Sequence, residues 1–180
     1  MKLVILDRDG VINFDSDNYI KSVDEYVTIP GSVAAIARLK QHGYHVAVAT
    51  NQSGIARGYY DEATLHAMHQ KLADELSAFN STIDYIAYCP HAPDDGCNCR
   101  KPKTGLLQQI ADHFQMTLDQ NTIFVGDSPG DIQAAINFGV TPVLVKTGKG
   151  ERTLQKKFPY KNIRIYTDLA DFVDYLLMGK

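Results

Sequence analysis

Five short apolar runs, each ending abruptly in polar residues and each followed by an amphipathic stretch, constrain this chain more than any other feature. The runs are LVIL (3–6), HVAVA (45–49), IDYIAY (83–88), TIFV (122–125) and PVLV (142–145), with IRIY (163–166) as a possible edge strand. Between them, helical spacing places Val33, Ile36, Ala37 and Leu39 on one face of a helix that stops near Gly43. Asp61 caps a longer helix with Leu65, Met68, Leu72, Leu76 and Phe79 in one stripe. Further helices are read at 104–115, 130–138 and 168–178. Such alternation predicts an α/β fold: an open, mostly parallel, doubly wound (Rossmann-like) sheet with helices on both faces. Strands apolar on both sides suit a parallel sheet, whose faces are both covered.

The 180 residues suit one domain, 1–180, with no repeat, linker or low-complexity tract. A 44% hydrophobic composition supplies a core, and a net charge of −3 offers no general attraction to nucleic acid or anionic membranes. No apolar run approaches the roughly 20 residues of a membrane helix, and the start MKLVILDRDG lacks the form of a signal peptide. The expectation is a cytoplasmic monomer acting on a small molecule. The three cysteines all fall between Cys89 and Cys99, which argues for reduced thiols with a local task rather than disulfides.

In parallel sheets ligands bind beyond the carboxyl ends of the strands, so the residues just past those ends carry the functional signal. Asp7 and Asp9 follow the first strand, and period-two alternation turns both the same way. Asp127 follows the fourth strand. Three carboxylates with no thiolate favour a hard cation, Mg2+ above all. A carboxylate can also attack phosphorus to give an acyl phosphate, with the second carboxylate as general acid and base. A strand-end DxD is equally compatible with a turn or cap. Thr50 and the loop Asn51, Gln52, Ser53 offer a hydroxyl and amides for a phosphoryl oxygen, although such a stretch is also an ordinary loop. Arg57 reads as a phosphate contact or as a solvated charge.

Cys99-Arg100-Lys101-Pro102-Lys103 supplies countercharge, with Lys101 for the transferring phosphoryl group and Arg100 for the substrate. In Gly126-Asp127-Ser128-Pro129-Gly130-Asp131, Asp131 is placed to orient Lys101 or a metal-bound water, or simply to favour a helix N-terminus. Cys89, His91, Cys97 and Cys99 form CxH–x5–CxC, a closed set of three sulfurs and one nitrogen for a structural Zn2+. Neither GxGxxG, a Walker loop, HExxH nor GxSxG is present.

Asp7-Arg8-Asp9-Gly10, Thr50-Asn51, Lys101 and Gly126-Asp127, in this order, resemble the four motifs of the haloacid dehalogenase superfamily of phosphatases. Within it, DRDGVIN, TNQSGIARG and CPH with CxCRKP resemble the heptose bisphosphate phosphatases of lipopolysaccharide-core precursor synthesis, over roughly residues 3–148. The resemblance implies Asp7 as nucleophile, Asp9 as acid and base, and Thr50 and Lys101 on the phosphoryl group. It implies Mg2+ on Asp7, the Asp9 main-chain carbonyl and Asp127, Zn2+ on Cys89, His91, Cys97 and Cys99, and Arg100 on the substrate. The five-residue spacing between His91 and Cys97 also resembles the histidinol-phosphate phosphatase domain, although SGIARG after TNQ favours the heptose branch. No separate cap domain is expected, only a small zinc loop at 89–99. Specificity then falls to loops 13–28, 52–60 and 89–103. Asp15, Asn18 and Tyr19 are expected toward a sugar phosphate, with Asn51, Gln52, Ser53, Arg57, Arg100 and Ser128 completing the substrate site. A zinc-bearing, sugar-phosphate-binding module without catalysis is the alternative of a different class.

Overall fold

β1 (Lys2–Leu6) lies at the centre of a six-stranded sheet, flanked by β2 (Tyr44–Asn51) and β4 (Ile123–Gly126). The computed structural model describes residues 1–156 and 158–179. The order is β3-β2-β1-β4-β5-β6, with β3 Tyr85–Cys89, β5 Thr141–Val145 and β6 Arg164–Tyr166. All five pairings are parallel, so the sheet is wholly rather than mostly parallel.

The pleat divides the core in two. Val4, Leu6, Val46, Val48, Val125 and Val143 face one side, where α1 (Ser32–Gln41), α2 (Glu62–Ser77) and α6 (Leu169–Met178) cover them. Leu3, Ile5, Ala47, Ala49 and Phe124 face the other, under α3 (Gly105–Phe114) and α4 (Pro129–Phe138). Each buried Leu or Ile side chain contributes about 1.5–3 kcal/mol, and both faces are closed.

Local chemistry sets the helix starts. Asp61 accepts from the Thr64 N–H at 2.8 Å, as a cap for α2 requires. Ser128 and Asp131 form a reciprocal capping box on α4, with Pro129 in its first turn. Three expectations shift. Phe79 lies past the end of α2 and is exposed, because the apolar stripe ends at Leu76. β3 begins at Tyr85 rather than at 83, because Asp84 turns its carboxylate to the Val46 N–H and to Lys40 Nζ. A short α5 (Gly150–Gln155) follows β5 and was not expected.

The chain reverses its winding direction beside β1, at the β1–β4 boundary, which is the switch point where open parallel sheets bind ligands. Among the described residues, the segments between β1 and α1 and between β3 and α3 carry no helix or strand of a further domain. No helix among them is long and apolar enough to cross a membrane.

Candidate active site

Asp7 leaves the end of β1 and Asp127 the end of β4, so the switch point itself brings these two carboxylates together. Asp131, one turn into α4, joins them, and carboxylate oxygens of all three lie within 4.8 Å of one another. Two glycines make this approach possible. A Cβ on Gly10 would meet Asp127 Oδ2 at 2.1 Å, and one on Gly148 would meet it at 2.3 Å; both have positive φ.

Among the described residues, Lys101 is the only ammonium inside the cluster. Its Nζ donates to the Ala49 carbonyl at 2.8 Å, to Asp131 Oδ1 at 2.6 Å and to Asp7 Oδ1 at 2.9 Å. Burial works against its charge, but Asp131 and Asp7 hold its pKa above the ordinary lysine range. Asp131 is fully engaged: Oδ2 accepts from the Asp127 N–H, the Ser128 N–H and the Ser128 hydroxyl. Burial opposes its ionisation, yet Lys101 holds its pKa low. Asp7 and Asp127 are less well served. Burial, then the Asp131 charge, pushes Asp7 up to about 7. Burial, then Asp7 and Asp131, raises Asp127 well above the carboxylate range. Three carboxylates against one ammonium leave an excess of two negative charges, which a hard divalent cation on oxygen ligands would offset. The donor set therefore fits Mg2+.

Asp9 lines the same cleft as Asp7 but turns away from the Asp7–Asp127–Asp131 cluster. Its carboxylate accepts from Arg8 Nε at 2.9 Å, Asn13 Nδ2 at 2.7 Å and Gln52 Nε2 at 3.1 Å. Burial raises its pKa, but the Arg8 guanidinium and these donors outweigh it and hold the group below its ordinary value.

A cleft of about 420 Å³ opens over these groups. Asp15, Tyr19, Ser53, Arg57, Arg100 and Ser128, all expected on the substrate side, line it. Arg57 lies over the Tyr19 ring, which in turn packs on Tyr59. Arg100 Nη1 is buried without a hydrogen-bond partner among the described residues. Asn51 and Gln52 also reach the cleft, but each is committed to the protein. The Asn51 amide clamps the Lys101 main chain, accepting from its N–H at 3.0 Å and donating to its carbonyl at 3.2 Å. Gln52 bridges Asp9 and Thr50. Thr50 is buried below the cleft wall, its hydroxyl accepting from Gln52 at 2.9 Å. Asn18 does not reach the cleft: it is exposed beside a shallow outer groove, because the left-handed turn at Tyr19 sends that ring inward and leaves Asn18 outside.

Sequence reasoning missed Arg8, Asn13, Tyr60 and Lys149. Lys149 donates its N–H to Asp127 at 2.7 Å and pairs through Nζ with Asp15 at 3.2 Å. Asp17 pairs with Arg152 at 3.1 Å.

Cys89, His91, Cys97 and Cys99 converge beside this cleft. Cys89 Sγ lies 3.0 Å from Cys99 Sγ and 3.6 Å from Cys97 Sγ, and His91 Nδ1 lies 3.3 Å from Cys99 Sγ. Tetrahedral zinc at about 2.3 Å from sulfur separates its ligand atoms by roughly 3.5–3.8 Å. The Cys89–Cys97 separation falls in that range and the two to Cys99 are shorter by a few tenths of an ångström, and the donors are those of a structural zinc site. Arg100 and Lys101 follow Cys99 directly, so the cluster anchors both cations.

An acid cluster with a buried lysine at the carboxyl rim of a parallel sheet defines a class of protein, the cation-dependent phosphatases of α/β fold. The HAD-hydrolase-like family model matches residues 98–172. The D-glycero-beta-D-manno-heptose-1,7-bisphosphate 7-phosphatase of Pseudomonas putida is 60% identical over 170 residues, covering 94% of this chain and 96% of the relative. The Pseudomonas aeruginosa protein of the same name is 57% identical, covering 97% of both chains. The crystal structure of D,D-heptose 1,7-bisphosphate phosphatase from Bordetella bronchiseptica, complexed with magnesium and phosphate, superposes with a TM-score of 0.96 at 48% identity, covering 100% of both chains. The chain belongs to the haloacid dehalogenase-like phosphatases, within the family that these heptose bisphosphate phosphatases form.

Proposed function

We propose that the protein hydrolyses the C7 phosphate of D-glycero-β-D-manno-heptose 1,7-bisphosphate through a phosphoryl intermediate on Asp7. The observation that carries this reading is the separation of two charge sites in one cleft. The acid cluster and Lys101 form the floor, and Arg57 and Arg100 stand on the wall, with Arg100 Nη1 lacking a hydrogen-bond partner among the described residues. A bisphosphate needs such a second cationic site for the phosphate that is not attacked, and binding there orients the one that is. The β anomer follows the names of the Pseudomonas relatives.

In this reading Asp7, Asp127 and the Asp9 carbonyl hold Mg2+, the metal named with the Bordetella structure. Bound there, Mg2+ would offset the charge of the acid cluster and of the phosphoryl oxygens. Asp7 attacks phosphorus, and the bond to the sugar oxygen breaks as Asp9 gives that oxygen a proton. Water then attacks the acyl phosphate, Asp9 takes the proton, and phosphate and Asp7 are freed. Lys101 holds Asp7 and faces the phosphoryl group, and Asp131 orients Lys101. Cys89, His91, Cys97 and Cys99 would hold Zn2+, which would fix the loop that presents Arg100 and Lys101. Residues 1–180 then act as one monomeric domain, and reduced thiols suit a cytoplasmic setting.

Histidinol phosphate is the competing substrate, and its amine would need a free acid. Asp15 and Asp17, the acids on that side, are already paired with Lys149 and Arg152. The test is kcat/KM for both compounds with Mg2+, on wild type and on Arg100→Ala. The bisphosphate is expected to lead by at least about tenfold, roughly 1.4 kcal/mol, and Arg100→Ala to narrow the margin. Preference for histidinol phosphate would overturn the assignment.

A further inference from the structure

Arg8 stands between the two aspartates of the first motif and is completely buried, at 0% exposure. Among the described residues its one carboxylate partner is Asp9, reached at Oδ1 by Nε at 2.9 Å and by Nη2 at 2.8 Å. Its other neighbours carry no negative charge. Nη1 lies 3.6 Å from Met68 Sδ and 3.4 Å from His69 Nε2, both on α2, and the guanidinium sits over the Tyr26 ring at 5.2 Å. Asn13, also at 0% exposure, donates from Nδ2 to the same Asp9 oxygen at 2.7 Å. A leucine or methionine would fill such a space without the cost of burying a charge. What the guanidinium adds is its fork, and the fork is aimed at Asp9.

We infer that Arg8 and Asn13 are positioning residues that hold the Asp9 carboxyl in one orientation, facing the leaving oxygen. The inference rests on the reading of Asp9 as acid and base. Neither residue lines the cleft, so both act through Asp9. In the first step the Asp7–phosphorus bond forms, the phosphorus–oxygen bond to the sugar breaks with its electron pair on oxygen, and the Asp9 proton joins that oxygen. A nitrophenolate leaves without needing the proton. Loss of Asp9 positioning must therefore slow alkyl phosphates more than activated aryl phosphates, whereas general damage to the fold slows both alike.

The experiment compares kcat/KM for heptose 1,7-bisphosphate, phenyl phosphate and p-nitrophenyl phosphate with Mg2+, for wild type, Asp9→Asn, Arg8→Lys and Asn13→Ala. Relative to wild type, Asp9→Asn should lose about 10²–10⁴-fold more on the alkyl than on the nitrophenyl ester, the span of acid catalysis. Arg8→Lys and Asn13→Ala should show the same ordering at about 10–100-fold, a part of that span. Should Arg8→Lys not fold, Asn13→Ala decides, its nitrophenyl ester turnover reporting an intact fold. Equal losses on all three esters in the folded variants, with the ordering kept in Asp9→Asn, would overturn the inference alone. Absence of the ordering in Asp9→Asn would remove the acid role of Asp9 and the inference with it.

Discussion

Lys101 Nζ stands 2.6 Å from Asp131 Oδ1, and the same ammonium touches Asp7 Oδ1 at 2.9 Å. One buried cation thus ties α4 to the end of β1, and the Asp131 carboxylate also closes the capping box of α4. Asp131→Asn breaks the ion pair and weakens the cap together. Breaking a buried pair costs about 3–5 kcal/mol, and a loss of that order should appear in denaturant melts. The kcat should fall with KM less affected, because the residue orients Lys101 and lacks a free oxygen for substrate.

The acid cluster makes stability depend on pH and on metal. Burial and Asp131 raise Asp7 from 3.8 to about 7, and Asp127 is raised as well. A carboxyl whose folded pKa is raised contributes stability that is full below its unfolded pKa and is lost as pH rises through the folded one. Asp9 and Asp131 are lowered and act in the opposite sense, but at pH below their ordinary range; His69, which burial lowers to about 3, opposes the trend only up to its ordinary 6.5, against the two raised carboxyls. Protein kept free of Mg2+ but not stripped of zinc should therefore melt at lower temperature at pH 8 than at pH 5. Added Mg2+ should restore stability more at pH 8 than at pH 5, because fewer protons have to leave Asp7 and Asp127 when it binds. Thermal melts over this range without and with added Mg2+, on protein not treated with a zinc chelator, check the sign, and a Mg2+-free protein that gains stability up to pH 8 contradicts it.

Zinc should be found at about one per chain in protein purified without added metal, by elemental analysis. Cys99→Ser should lower Tm, and hydrogen exchange should quicken over residues 89–103. Activity should fall with it, because Arg100 and Lys101 follow Cys99 directly.

Gly148→Ala tests the close approach behind Asp127. The new Cβ would stand 2.3 Å from Asp127 Oδ2 and 2.4 Å from Gly10 Cα, at a positive φ of 58°. Backbone on one side and a carboxylate on the other leave it no room. Mg2+ affinity, measured by calorimetry, should weaken by at least about tenfold, the scale of a loss near 1.4 kcal/mol.

Most strands were legible because a short apolar run forms the centre of each, and the rim residues because those runs end in polar side chains. Asp7 and Asp127 could be placed on that basis alone, and the Cys89, His91, Cys97 and Cys99 cluster from its CxH–x5–CxC spacing. α5 escaped because GERTLQ has no apolar stripe. Tertiary contacts support it, among them the Thr153 hydroxyl donating to the Asp127 carbonyl at 2.8 Å. Arg8 escaped for a different reason. Val4, Leu6 and Arg8 share one face by strand alternation, which points the arginine into the core; a charge there signals a buried partner, a sign that the motif reading passes over. Asn18 was placed in the cleft because its neighbours are there, and the left-handed backbone at Tyr19 cannot be read from composition.

The central claim is a covalent phosphoryl group on Asp7, and borohydride trapping tests it most directly. Wild-type protein turning over heptose 1,7-bisphosphate with Mg2+ is quenched into borohydride, which reduces an acyl phosphate to an alcohol, and the peptide carrying residues 3–14 is weighed. The account predicts reduction at Asp7 that depends on substrate and on Mg2+. Full turnover with Asp7 unreduced, or reduction at Asp9 or Asp127 instead, would contradict it.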